Sequence, residues 1–263
     1  MNLTGADWSD TVTSTVRAAI RNAMPAVTLR RLRLVSGLVM LSYVTTHMVN
    51  HILGLVSVAM ADAMLRWVIE IWQSRPGTVL LYGAFLTHLV LALRTIHRRK
   101  DWRLPWTEWL RLWAGFSLPM LLISHVVGTR VATTFYGFDP NYERVVTSII
   151  TGDRQGWQVA LLAPGWIHGC LGLWITLRHF PLFYRARMLL MAFMIAVPLL
   201  SAFGFVRMVQ AVEASAGFVA RHPPPYAAAL TQWREILLIG YLTLVIGAGV
   251  SGWLRRRLTT ASQ

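Results

Sequence analysis

Six stretches of this chain are long and apolar enough to be helices crossing a bilayer: roughly 33–59, 78–97, 110–135, 157–178, 187–209 and 234–254. A hydrocarbon layer about 30 Å thick takes about 20 helical residues to span. Inside it no water can satisfy a backbone N–H or C=O, so each spanning segment must close its hydrogen bonds internally. The predicted fold class is therefore all-α, a polytopic membrane bundle of six transmembrane helices. Composition agrees: 14% of the residues are charged and mean hydropathy is +0.50, against about 25% charged in soluble domains.

The charges that remain mark topology. A net charge of +14 invites a nucleic-acid partner, but the basic residues sit at the ends of the apolar stretches, so membrane lipid is the expected partner and nucleic acid is not. With the N-terminus inside, 17 of the 25 Lys and Arg residues fall on the cytoplasmic face, among them Arg30, Arg31, Arg33, Arg98, Arg99, Lys100, Arg111 and Arg255–Arg257. Eight remain outside: Arg66, Arg75, Arg130, Arg144, Arg154, Arg207, Arg221 and Arg234. This positive-inside bias places both termini in the cytoplasm.

Three divisions follow: a cytoplasmic N-terminal segment (1–29), the membrane domain (30–258) and a cytoplasmic tail (259–263). The first carries Asp7, Asp10, Arg17 and Arg21 and lacks a compact apolar core, so a cleavable signal peptide is not expected. Within it, 12–24 suits either a helix lying on lipid or a flexible tail. Residues 61–77 are amphipathic and are expected at the outer surface. So are the loop 136–156 and the stretch 213–231 with its Pro223-Pro224-Pro225 turn. Pro198 should bend the fifth span, and Gly240, Gly247, Gly249 and Gly252 predict close packing of the sixth. A single cysteine, Cys170, excludes an internal disulfide or a cysteine-held iron–sulfur cluster and reads as a small buried residue.

Histidine carries the functional signal. His47 or His51, His88, His125 and His168 lie inside the first four spans, one depth per helix, where ionisable side chains are costly. His97, His179 and His222 lie at span ends or in loops and read as solvated side chains. At ~1.5 Å per residue, Arg33 to His47 and Arg111 to His125 each measure about 21 Å, while His88 and His168 lie about 9 and 15 Å from Arg94 and Arg178. The histidines thus form two layers, first with third span outside and second with fourth inside. Two stacked imidazole pairs in a helix bundle suggest two haems, each iron held by two histidines. Small residues beside them (Gly83, Gly128, Gly169 and Gly172) suit a flat macrocycle. Other readings stay open on residues alone: histidines hydrogen-bonded between helices, a zinc or copper path, or a proton relay. The metal path and the relay want acidic or thiol groups at the same depth, of which the spans hold almost none.

His47 matches His125 in depth, and each lies ten residues after a glycine, Gly37 and Gly115. That favours His47 as the outer ligand, with His51 beside it touching a propionate or quinone. The likeness of His51-Ile52-Leu53-Gly54 to His125-Val126-Val127-Gly128 would align His51 instead. Arg130 suits a haem propionate. Arg33 and Tyr43 are weaker candidates for a quinone site.

The pattern of one histidine per helix, with Arg30-Arg31, Gly37 and His47-Met48-Val49-Asn50-His51, resembles the dihaem cytochrome b anchors of succinate dehydrogenase and fumarate reductase. The segments RLRLVSGLVMLSYVTTHMVNHILGL, SHVVGTRVATTFYGFD and WIHGCLGLW are similar to the hexahelical cytochrome-b-type anchors of bacterial class III adenylate cyclases. That likeness covers roughly residues 30–210. It implies two haem b groups on the pairs His47/His125 and His88/His168, and a quinone or quinol partner. It also implies the bacterial inner membrane, a cytoplasmic cyclase domain beyond the last span, and a homodimer. The residues of this chain include no carboxylate-rich cyclase metal site, so the expectation is a redox- or quinone-sensing module that is not catalytic alone, either a piece of a longer protein or encoded by itself. The alternative is an anchor subunit relaying electrons between iron–sulfur subunits and quinone.

Overall fold

The computed structural model describes residues 5–152, 154–215 and 224–261, with side chains described over 28–258 of these. Among the described residues every regular element is helical. In chain order they are α1 (Gly5–Leu53), α2 (Val58–Trp72), α3 (Arg75–Arg98), α4 (Trp106–Val126), a π-helical turn (Val127–Val131) and α5 (Ala132–Tyr136). Then come α6 (Tyr142–Thr151), α7 (Gln155–Leu177), α8 (Pro181–Arg185), α9 (Arg187–Glu213) and α10 (Ala227–Ala261). Six segments are long and apolar enough to cross a membrane: Thr28–Leu53, Arg75–Arg98, Trp106–Tyr136, Gln155–Leu177, Arg187–Glu213 and Ala227–Leu258. The protein is an all-α, multi-pass membrane protein.

α1 is the central element, packing on α2, α3, α7 and α9; α4 packs on α7, and α10 lies against both α3 and α4. α1 and α9 meet backbone to backbone. A Cβ on Gly54 would stand 2.6 Å from the Gly204 carbonyl oxygen, and one on Gly204 would collide with the His51 carbonyl. Small residues let membrane helices approach this closely. Further along the contact, the Ser201 hydroxyl donates to the Met48 carbonyl at 3.0 Å, both residues being fully or nearly fully buried. At the far end of the bundle α10 fastens to the C-terminus of α3. Arg256 donates to the Arg99 carbonyl at 2.7 Å, Arg255 to the Arg98 carbonyl at 3.2 Å, and His97 Nδ1 lies 3.0 Å from Ser251 Oγ.

Several details depart from the sequence reading. The first span ends at Leu53 rather than near 59, because Gly54 turns the chain against α9 and Ser57 caps α2, its hydroxyl accepting from Met60 N–H at 3.0 Å. The expected loop 136–156 contains α6. Gly137, in the left-handed region at φ 69°, ends α5, and Asn141 caps α6. α6 then buries Tyr142, Val146 and Ile149 at helical spacing against Phe205, Met208 and Val212 of α9. Of the four glycines in the last span only Gly252 makes a close approach, to the His97 carbonyl; an added Cβ at Gly240, Gly247 or Gly249 meets nothing within 4 Å. Pro198 lies inside an unbroken α9. The stretch 12–24 belongs to the backbone of α1, its side chains lying outside those described. His222, Arg221 and Pro223 also fall outside the described residues.

Candidate functional site

α1, α3, α4 and α7 each bring one histidine toward another helix. The rings of His47 on α1 and His125 on α4 have centroids 5.7 Å apart; those of His88 on α3 and His168 on α7 are 6.0 Å apart. These are the two pairings expected from depth. The first forms the layer nearer α2 and α6, the second the layer beside Arg33 and Arg111. Two imidazoles sharing one iron, each bonded at about 2 Å, would have centroids roughly 6 Å apart.

In three of the four, one ring nitrogen is already committed to an oxygen. His125 Nδ1 lies 3.0 Å from Gln158 Oε1, and His168 Nδ1 lies 2.9 Å from the Arg111 carbonyl oxygen. Both oxygens only accept, so each Nδ1 carries the proton and donates. His88 Nδ1 lies 3.2 Å from Ser36 Oγ, whose own hydroxyl donates to the Arg33 carbonyl at 3.1 Å. Ser36 therefore accepts from His88. Three of the four histidines are thus set as the Nδ1–H tautomer with the Nε2 lone pair free. Metal-bound histidines characteristically donate their second N–H in this way. All four rings are only half-buried although they face neighbouring helices.

Gly37 and Gly115 serve the opposite layer from the one their spacing suggests. A Cβ on Gly115 would lie 2.6 Å from His168 Cε1 and Nδ1, and one on Gly37 would lie 3.4 Å from His88 Cε1. Each helix of the His47/His125 pair thus presents a bare backbone to a ring of the His88/His168 pair. The glycines expected beside the ligands do not touch a histidine. An added Cβ at Gly83, Gly128 or Gly172 meets nothing within 4 Å, and at Gly169 it meets only Leu41.

His51 lies directly against the His47 ring, with centroids 4.7 Å apart. It is buried, its Nε2 is 3.3 Å from His47 Nε2, and its ring meets Tyr142 of α6 and Phe205 of α9 at 5.8 Å each. Its Nδ1, both amide atoms of the fully buried Asn50, and the Tyr142 hydroxyl lack a hydrogen-bond partner. Outside the spans, burial and then the nearby Asp62 carboxylate push the Tyr142 phenol above its ordinary pKa. Asp62 Oδ1 also accepts from Tyr142 N–H at 2.7 Å.

Around the His47/His125 pair, Tyr43 stacks on His47 at 6.0 Å and meets the edge of Trp72 at 5.5 Å. Arg130 lies in the π-helical turn that follows His125. It donates to Gln73 Oε1 at 2.6 Å and to Thr78 Oγ1 at 3.2 Å, tying α4 to the α2–α3 junction. Such π-turns are frequent at functional sites. Arg33 binds α1 to α3 through Thr95 Oγ1 at 2.7 Å. Cys170 is a free thiol packed with the Met48, Trp166 and Val197 cluster. No group of three or more His, Cys, Asp or Glu side chains among the described residues is arranged to hold a bare metal ion.

Sequence reasoning missed Gln158 and Ser36. The available signal was the one side-chain amide of the fourth apolar stretch (157–178), ten residues before His168, and a serine beside Gly37.

Comparison with protein-family models, with curated proteins and with solved structures found no match to this chain.

Proposed function

We propose that the protein is a dihaem cytochrome b membrane module, the redox- or quinone-sensing anchor of a membrane adenylate cyclase whose catalytic domain attaches on the cytoplasmic side. One observation carries the haem reading. Two cross-bundle histidine pairs stand at different depths, and three of the four rings donate Nδ1–H to a fixed oxygen and keep Nε2 available. His47 and His125 would hold one haem b, His88 and His168 the other. Haem so bound supplies a one-electron couple within the membrane, and imidazoles at both axial positions favour electron transfer over oxygen binding.

The remaining residues support that role. Gly37 and Gly115 let backbone lie against the inner rings, and the Arg111 carbonyl and Ser36 hydroxyl fix the inner tautomers. Arg130 supplies a cation beside the outer layer, already oriented by Gln73 and Thr78. Positive-inside topology puts both termini in the cytoplasm. The contact of α10 with the end of α3 gives the last span a mechanical link to the helix bearing His88.

His47→Ala should lose the outer haem, whereas His51→Ala should keep both, since the ring that meets His125 is that of His47, while His51 packs on Tyr142 of α6 and Phe205 of α9; haem content of each variant decides this. Function is tested by adding a reduced benzoquinol to the oxidised protein in detergent. Reduction of the b-type bands is expected. Haem that responds to dithionite and never to quinol contradicts the quinone link. Co-purification of a flavoprotein with an iron–sulfur subunit would replace the cyclase reading by that of a succinate dehydrogenase- or fumarate reductase-type anchor.

A further inference from the structure

We infer that Gln158 is a positioning residue that orients His125 and sets the reduction potential of the outer haem alone. The inference rests on the dihaem reading above.

Gln158 and His168 both lie on α7, whereas His125 lies on α4 with Arg111. The bracing between these two helices is reciprocal. α7 holds the α4 histidine through Gln158 Oε1 at 3.0 Å, and α4 holds the α7 histidine through the Arg111 carbonyl at 2.9 Å. One brace is a backbone carbonyl that no substitution removes. The other is a side chain, and among the described residues His125 Nδ1 has no other hydrogen-bond partner. An amide in an apolar helix is costly unless it is bonded. Gln158 meets that cost by accepting the imidazole N–H.

An acceptor on Nδ1–H makes the opposite nitrogen more basic and a better donor to metal, and outer-sphere partners of this kind are levers on potential. A more basic axial imidazole stabilises the oxidised iron, so a stronger acceptor lowers the potential and loss of the acceptor raises it. The effect should be confined to one layer, because the inner histidines take their braces from Ser36 and Arg111 instead.

The experiment is a spectrally resolved redox titration of the full chain in detergent, with the outer-haem bands identified as those missing from His125→Ala. Gln158→Met, which keeps length and removes the acceptor, should raise the outer midpoint. Gln158→Glu, which keeps the acceptor and adds charge, should lower it. The inner midpoint should stay at the wild-type value in both. Loss of only the outer haem from Gln158→Met, with retention in Gln158→Glu, supports the same assignment. Two haems with both midpoints unchanged in both variants, or a shift confined to the inner haem, would overturn it. Wild-type protein that takes up no haem overturns the dihaem reading itself, and is recognised before any variant is compared.

Discussion

His125→Ala should halve the haem content of the purified protein, removing the outer haem and leaving the inner one with its wild-type spectrum. His125 is the α4 member of the outer pair, 5.7 Å from His47 across the bundle. Its Nδ1–H is committed to Gln158, so Nε2 is the nitrogen left to bind an iron. Loss of an outer-sphere partner costs ~10–100-fold in metal affinity; loss of the ligand itself should exceed that and empty the site at ordinary protein concentration. His168→Ala should do the reverse, since His168 pairs with His88 in the other layer. Haem content with reduced-minus-oxidised spectra reads both results. Variants that each retain two haems with unaltered bands would show that the layers do not correspond to separate sites.

The second large effect concerns packing. Gly204→Leu should lower the stability of the detergent-solubilised protein by about 3 kcal/mol or more, at the upper end of what overpacking costs. An added Cβ there runs into the His51 carbonyl and lies 2.9 Å from its carbon, which is α1 backbone and cannot rotate away. Relief requires α1 to move off α9 at the level of His51, one turn from His47. For a chain of this size 3 kcal/mol corresponds to a fall in Tm of roughly 6–12 °C. Outer haem should be lost preferentially. Gly240→Leu is the control, because its added side chain meets no neighbour within 4 Å at Cβ. A Gly204→Leu protein with wild-type Tm would contradict the close α1–α9 contact.

The six spans, and which histidine rings approach one another, were legible because both depend on one-dimensional quantities, length in apolar residues and distance from a basic edge. The same register, Arg33-Gly37-His47 and Arg111-Gly115-His125, gave the alignment of the first and third spans. What Gly37 and Gly115 do was not legible. Spacing tied them to His47 and His125, whereas they lie against His88 and His168, because contact across helices is set by packing angle rather than by sequence distance. The braces Gln158 and Ser36 were hidden for the same reason, joining residues 33 and 52 positions apart. Helix α6 was masked by the Gly137, Pro140 and Gly152 that bracket it, and its Tyr142, Val146 and Ile149 stripe is short. The glycines of the last span followed a packing rule that only Gly252 obeys.

Haem stoichiometry in the wild-type protein tests the central claim most directly. The chain, expressed with haem supply and purified in mild detergent, should carry two b-type haems per polypeptide, measured as pyridine haemochrome against protein concentration. Preparations that stay folded and contain no haem would contradict the account.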